Sequence, residues 1–265
     1  MRTMTQAMTD GRQSLQSLER GMAVIQIFSR QYPALTLSDV ARHTGLTRAT
    51  ARRILLTLEA LGHVRSDGRL FSLTPRVLSL GWAYLSSLNL WEIAQPLMED
   101  LAEQTRESCS AATLDLPDIV YVARVPTRRI MTISLGVGSR LPAHSTSMGR
   151  VLLADLPTAE LDRFLAENHF ERFTDRTITD PKRLRAEVDD VRRQGWALID
   201  QELEVGLRSL GAPITRADGR TIAALNVSAP AARVSIEELR GRFLPALLDT
   251  ARQISTSLVH NGSPR

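Results

Sequence analysis

The sequence predicts an α+β protein, with a winged helix-turn-helix first and a larger mixed domain behind it. Three observations carry that prediction. Two short amphipathic helix patterns flank Gly45 within about residues 36–55. A strand–turn–strand pattern is centred on Asp67-Gly68. After Glu107, short apolar or alternating runs are followed by segregated helical patterns, the arrangement of an α+β domain.

The residues before Ser14 are polar and aperiodic, so 1–13 read as a flexible arm and 14–74 as the first domain. Leu15, Leu18, Ala23, Val24, Ile27 and Phe28 form a helical stripe, with Ser17 as its candidate cap. Thr36 caps the next helix, which puts Leu37, Val40, Ala41 and Thr44 on one side; Ala41 is small enough for close approach. Gly45 ends that helix, with a positive φ expected, and Thr47 caps the following one.

That following helix, about Arg48 to Leu61, has two faces. Ala51, Ile54, Leu55, Leu58 and Leu61 are apolar, whereas Arg52 and Arg53 lie opposite, with Arg48 and Thr50 near the start. An arginine fork can take guanine O6 and N7 together or grip a phosphate, and threonine can meet a base edge, a thymine methyl or the backbone. A solvated amphipathic helix would carry such arginines too; the two-helix spacing before them is what points to double-stranded DNA. The DNA-contact candidates are therefore Thr47, Arg48, Thr50, Arg52 and Arg53, joined by Arg65 and Arg69 flanking the wing's tip.

Charge agrees with this placement. Residues 1–75 hold ten arginines against five acidic residues, while the rest of the 265-residue chain balances to within one charge. An excess of positive charge confined to one end is the footprint of a polyanion binder. One cysteine, Cys109, precludes an internal disulfide and fits a reducing cytoplasm. No run is apolar enough for a membrane span and no signal segment is expected, so the expected location is cytoplasmic.

Residues 75–91 read as a linker helix, rich in apolar residues such as Val77, Leu78, Leu80, Trp82 and Leu85, followed by a second helix from Leu97 to Arg106. That surplus points to a contact between protomers or to burial within one subunit. Strands are expected at Ser110–Asp115, Ile119–Val125 and Ile130–Leu135, then at Trp196–Ile199, Ser209–Thr215 and Thr221–Val227. The GxG of Gly136-Val137-Gly138 reads as a turn rather than a nucleotide loop. Helices are expected at Ser147–Ala154, Thr158–Glu167, Lys182–Gln194 and Ser235 to about Leu258.

These residues resemble the IclR (isocitrate lyase regulator) family of transcription factors, over about Ser14 to Leu258. Beyond the wing, the resemblance rests on Leu141-Pro142-Ala143-His144-Ser145-Thr146-Ser147-Met148-Gly149-Arg150-Val151-Leu152-Leu153-Ala154. It rests also on Gly195-Trp196-Ala197, Glu202 to Gly206, Ala212-Pro213, and Ala223 to Pro230. Asp118 to Arg129 and Thr146 to Ala154 are similar to the branch that regulates the β-ketoadipate pathway. The resemblance implies a GAF-like effector-binding and oligomerisation domain over 92–265, with an antiparallel sheet and flanking helices. It implies an effector such as protocatechuate, 4-hydroxybenzoate or β-ketoadipate. Carried over by motif, the effector-binding candidates are Ile130, Leu141, Ser147, Met148, Leu207, Ser209, Asn226 and Ser228. Amides at the start of the Ser147 helix would suit a carboxylate. Arg124, the nearest strand cation, could pair with an acid or face solvent. Met148 adds bulk that leaves pocket volume open.

No catalytic residue, metal or cofactor is assigned. His144-Ser145-Thr146-Ser147 lacks the spacing of a serine-hydrolase elbow, and His144 reads as a packed loop residue. Asp200, Glu202 and Glu204 would share a face on an extended segment, but no His or Cys sits at ligand spacing. The expected protein is thus a homodimeric or tetrameric regulator, not an enzyme, reading a promoter site of approximate two-fold symmetry. The competing readings are a DNA-binding repressor that senses nothing and a hydrolase built on the second domain.

Overall fold

The computed structural model describes residues 14–87, 90–126 and 135–261, and of these the side chains at 85–87, 90, 91, 260 and 261 are left aside. The chain divides into two compact units, Met1–Tyr84 and Leu85–Arg265. The first contains α1 (Gln16–Gln26), β1 (Leu35–Thr36), α2 (Leu37–Thr44), α3 (Arg48–Ala60), β2 (Val64–Ser66) and β3 (Leu70–Leu73). Its three short strands pair antiparallel in the order β1-β3-β2. Val24, Val40, Ala51, Leu55 and Leu58 meet in one core.

Local chemistry explains the element ends. Thr36 and Asp39 form a reciprocal capping box at the start of α2, and Gly45 ends it at φ +67°. Asp67 Oδ1 accepts from the backbone N–H groups of Arg69 (2.9 Å) and Leu70 (2.7 Å), which fixes the wing's turn with Gly68 at φ +95°. Those two donors hold the Asp67 carboxyl below its usual range.

Three expectations in this unit fail. The cap of α1 is Leu15, through its carbonyl alone, and Ser17 lies inside the first turn. The stripe's first half stays outside the core, with Leu15 and Leu18 exposed. Leu61, the residue closing α3, is 53 % exposed, one position past the last residue of the helix.

Helix α4 (Leu78–Ser87) follows a 3₁₀ turn at Pro75–Val77. The second unit opens with α5 (Leu90–Thr105), continuous through Pro96, where the sequence suggests a fresh start at Leu97. The stripe Ala94, Met98, Leu101, Ala102 and Thr105 is buried across the proline. Pro96 itself is exposed, so the carbonyl it frees can turn to water.

Next come β4 (Ser108–Asp115), β5 (Asp118–Val125), β6 (Arg140–Pro142), a 3₁₀ turn Ala143–Ser145, α6 (Ser147–Asp155), α7 (Thr158–Glu167) and α8 (Pro181–Gln194). Then follow β7 (Ala197–Asp200), β8 (Leu207–Thr215) and β9 (Thr221–Pro230). The six strands form one antiparallel sheet in the order β6-β5-β4-β9-β8-β7. The Gly136–Ser139 segment turns the chain, with Gly138 at φ +86°. The expected strand Ile130–Leu135 lies, apart from Leu135, outside the described residues.

The C-terminal element is a one-turn helix α9 (Ile236–Glu238), a π-turn Leu239–Phe243 and α10 (Leu244–Asn261), where one plain helix is expected. Buried Leu239, Phe243, Leu247 and Ala251 recur every fourth residue. Such a repeat drifts round a helix of 3.6 residues per turn, and one wider π-turn absorbs the drift.

The sheet separates two cores. Alternate residues Cys109, Ala111, Leu210, Ala212, Leu225 and Val227 pack against α5 and α10, while Ala112, Ile119, Tyr121, Ala197 and Ala224 pack with α6, α7 and α8. Among the described residues no helix is long and apolar enough to cross a membrane.

Candidate functional site

In the first unit, α3 presents its polar side outward. Ala51, Leu55 and Leu58 are buried, which forces Arg48, Arg52 and Arg53 to the exposed side. None of these three makes an ion pair among the described residues. The hydroxyl of Thr47 accepts from the Thr50 backbone N–H (3.2 Å) and lies 2.9 Å from Thr50 Oγ1, so both threonines are committed to the helix start. Arg69 stands exposed at the wing's tip, while Arg65 is tied across the hairpin through Nε to Ser72 Oγ (3.1 Å). Arg42 of α2 is neutralised by Asp39 (2.6 Å). Of the arginines expected at DNA, the exposed ones without a side-chain partner among the described residues therefore lie on α3 and at the wing's tip.

In the second unit a cavity lies between the sheet and the start of α6. Strand register brings its floor together. Arg124, Ser110, Asn226 and Gly211 face one another across β5, β4, β9 and β8, and Ser228, Ser209 and Ile199 form the next row. At Gly211 the α6 backbone approaches so closely that a Cβ would lie 2.7 Å from the Ser147 carbonyl. Gly211 therefore sets how near Ser147 comes to the sheet.

The cavity contains polar atoms without partners. Ser145 Oγ, Ser147 Oγ and Asn226 Oδ1 are buried and make no hydrogen bond among the described residues, and all three residues line it. A buried polar group left unpaired costs about 1–3 kcal/mol, so three around one space mark a surface built to meet a polar molecule. Asn226 Nδ2 donates to Ser228 Oγ (3.1 Å), which leaves its carbonyl as the outward group. Burial pushes the Tyr121 hydroxyl up to about 12, against the pull of Arg124, so it remains a neutral donor. The enclosed space is about 30 Å³, the room of about one or two water molecules. An aromatic acid would enter only as the lining moves apart.

One wall of the cavity is the loop between β7 and β8, which contributes Leu203 and Glu204. A buried ion pair anchors it: Arg150 Nη2 lies 2.6 Å from Glu202 Oε2, and Arg150 Nε donates to the His144 carbonyl (3.0 Å). The same Glu202 oxygen accepts from Ile178 N (3.2 Å), and Thr177 Oγ1 donates to the Glu202 carbonyl (2.6 Å). Burial raises the Glu202 carboxyl above its ordinary range despite Arg150.

Several sequence expectations meet this geometry. Leu141, Ser147, Leu207, Ser209, Asn226 and Ser228 converge on the cavity. Met148 does not line it. One position round α6 from Ser147, it is 1 % exposed and packs in the core beneath the helix. Ile130 lies outside the described residues. Asp200, Glu202 and Glu204 do not share a face, because the chain leaves the strand at Asp200: Asp200 pairs with Arg208 (2.5 Å), Glu202 with Arg150, and Glu204 turns to the cavity. The motif reading omits Tyr121, Leu135, Ser145, Thr146, Ile199, Leu203 and Glu204. Ile199 was within reach of a strand-pairing argument, since it faces Ser209. The loop residues carry no local signal. Among the described residues no group of three or more His, Cys, Asp or Glu side chains is placed to hold a metal ion.

His144 is a packing residue. Its Nε2 lies 3.1 Å from the Glu171 carbonyl, and its ring lies 5.1 Å from Phe170 and 5.9 Å from Phe173. Burial lowers its pKa from the ordinary 6.5. A depressed folded-state value gives stability that is complete above about pH 6.5 and is lost as pH falls through the folded value. We expect the second unit's thermal midpoint to drop by a few degrees between pH 7 and 5.5. His144→Phe should flatten that part of the profile; an unchanged slope would place the proton elsewhere.

The family model for the IclR helix-turn-helix domain matches residues 17–68, and that for the bacterial transcriptional regulator IclR C-terminal domain matches residues 82–256. The Pca regulon regulatory protein of Pseudomonas putida is 46 % identical over 254 residues, covering 96 % of this chain and 87 % of its own. The p-hydroxybenzoate hydroxylase transcriptional activator of Acinetobacter baylyi is 36 % identical, covering 89 % of each chain. Among solved structures, an IclR homolog from Microbacterium hydrocarbonoxydans complexed with 4-hydroxybenzoate superposes with a TM-score of 0.82 at 26 % identity, over 93 % of this chain and 100 % of that one.

Proposed function

The chain belongs to the IclR family of bacterial transcriptional regulators, and from that premise we propose a sequence-specific DNA-binding regulator governed by a small organic acid. The effector class is an aromatic acid, and the controlled genes serve aromatic catabolism through the β-ketoadipate pathway. The relatives named for Pca and p-hydroxybenzoate regulation support this, as does the 4-hydroxybenzoate-bound homolog. One observation carries the sensor half: three orphaned buried polar atoms converge on one cavity in the second unit. We assign DNA contact to 14–74, linkage to 75–91, and effector binding and assembly to 92–265. Action as a homodimer or tetramer on a pseudo-palindromic operator follows from two-fold matching of protein and site. No catalytic step is required, and the site of action is the bacterial cytoplasm, where the operator lies.

The deciding experiment is an operator-binding titration with and without 4-hydroxybenzoate, protocatechuate and β-ketoadipate. A change in affinity or footprint with an acid supports the reading, and binding to DNA that ignores all of them favours a repressor without a sensor. Coupling of about 1–3 kcal/mol would be typical.

Two results should accompany it. Arg53→Ala is expected to cost about 1–3 kcal/mol at the operator and to relax specificity, whereas Arg69→Ala should weaken all DNA alike and flatten the salt dependence. Gel-shift titrations on operator and scrambled DNA at two salt concentrations separate them. Equal, sequence-independent losses would remove Arg53 from base reading. Asn226→Leu should change thermal stability little, because removal of an unpaired buried carbonyl offsets loss of the Nδ2 bond to Ser228. It should also weaken effector binding about tenfold or more, read by calorimetry; unaltered affinity would move the ligand away from the β9 floor.

A further inference from the structure

We propose that the cavity selects a monocarboxylic acid that also carries a hydroxyl group, with Arg124 pairing with the carboxylate and Glu204 accepting from the hydroxyl. This rests on the sensor reading and narrows its ligand class.

The cavity's lining contains one guanidinium and one carboxylate. Among the described residues Arg124 has a single long side-chain contact, Nη1 to Ser110 Oγ (3.4 Å), and no carboxylate within ion-pair distance. Glu204 is half-buried and its side chain makes no hydrogen bond or ion pair among the described residues. The two charges come from opposite sides of the floor. Arg124 projects from β5, two strands beyond Asn226, while Glu204 comes from the loop that joins β7 to β8 on the far side. Between them lie neutral groups, the carbonyl of Asn226 and the hydroxyls of Ser147 and Ser209.

Charge decides what fits. A monoanionic carboxylate neutralises Arg124 and leaves Glu204 in need of a donor. A phenolic hydroxyl supplies one; a plain aromatic acid does not, and strands the carboxylate against a ring. A dicarboxylate places its second charge against Glu204, a like-charge contact in a confined space of low dielectric. The cavity thus rewards a hydroxyl and penalises a second acid with one residue.

Calorimetry on the full-length protein tests this with 4-hydroxybenzoate, protocatechuate, benzoate and adipate. The wild type should bind the better hydroxybenzoate about tenfold or more tightly than benzoate or adipate. Glu204→Leu should bring hydroxybenzoate and benzoate to within about threefold of each other. Glu204→Gln, which keeps an acceptor but loses the charge, should strengthen adipate and change hydroxybenzoate little. Arg124→Met should weaken every acid with an unchanged thermal midpoint. An unaltered hydroxybenzoate-to-benzoate ratio in Glu204→Leu overturns the proposal, as does wild-type adipate binding equal to hydroxybenzoate. Binding of no acid by a folded wild type overturns the sensor reading itself and the selectivity with it.

Discussion

Gly149→Ala is expected to destabilise the second unit by about 3 kcal/mol or more, a loss larger than ordinary overpacking usually brings. A Cβ at this position would lie 2.1 Å from the Ala143 carbonyl oxygen, 2.5 Å from Ala143 Cα and 2.5 Å from Thr146 Oγ1. Two of those atoms belong to backbone, and the turn that carries them is buried on every residue. It cannot rotate away as a surface side chain would. The Thr146 hydroxyl is also committed, accepting from Gly149 N (3.2 Å) and donating to the Pro142 carbonyl (3.1 Å). The strain therefore spreads into Ser145 and Ser147, which hold two of the three orphaned cavity atoms. At about 2–4 °C per kcal/mol for a unit of this size, the midpoint should fall by roughly 6–12 °C. Effector-induced stabilisation should vanish with it. Gly241→Ala is the control, since nothing lies within 4 Å of its added Cβ. Calorimetric melts of both variants decide the matter, and equal midpoints would mean that the turn and α6 are not packed as described.

The second large effect concerns Arg150→Met, expected to cost about 3–5 kcal/mol at neutral pH. Arg150 is 2 % exposed and Glu202 7 % exposed, so truncation leaves a carboxylate in the interior with only the Ile178 amide to meet it. The double variant Arg150→Met/Glu202→Leu should recover most of the loss, because it removes both charges from a low-dielectric site. The sign of the pH effect is distinctive. Without Arg150 only the Ile178 amide draws the buried Glu202 carboxyl downward, so its folded-state pKa rises further above the unfolded value. A raised carboxyl favours the folded state as pH falls through that value. The deficit of Arg150→Met should therefore be smaller at pH 5 than at pH 7. Urea unfolding at the two pH values tests both points; a double variant no more stable than the single would show that the pair acts through packing alone.

Much of the first unit is legible in its residues because its signals are local. The Thr36 cap, Gly45, the Thr47 cap and the Asp67-Gly68 turn each act within four residues, and each behaves as its chemistry dictates. The failures there, at Ser17 and Leu61, are matters of one turn at a helix end, where side-chain pattern says least. Continuity of α5 through Pro96 is not local. It depends on a buried stripe that outweighs the lost hydrogen bond, and on the proline's facing outward.

Residue pattern alone suffices for most of the helices and strands and for the charged face of α3, through periods of 3.6 and 2, though not for the short strands β1 and β6. Ser209, Asn226 and Ser228 are reached through the family resemblance rather than through any period. What only tertiary structure decided is the membership of the cavity. Tyr121 and Arg124 are three apart on β5 and by strict alternation would face opposite ways, yet both line it. The register shift at Ala111/Ala112, which leaves Val122 unpaired between them, makes this possible. Met148 lies in the core and Glu204 at the cavity because of where α6 and the β7–β8 loop are anchored, through Gly211 and through Arg150 with Glu202. Those anchors join residues 52 or more positions apart, a distance over which no local periodicity carries information.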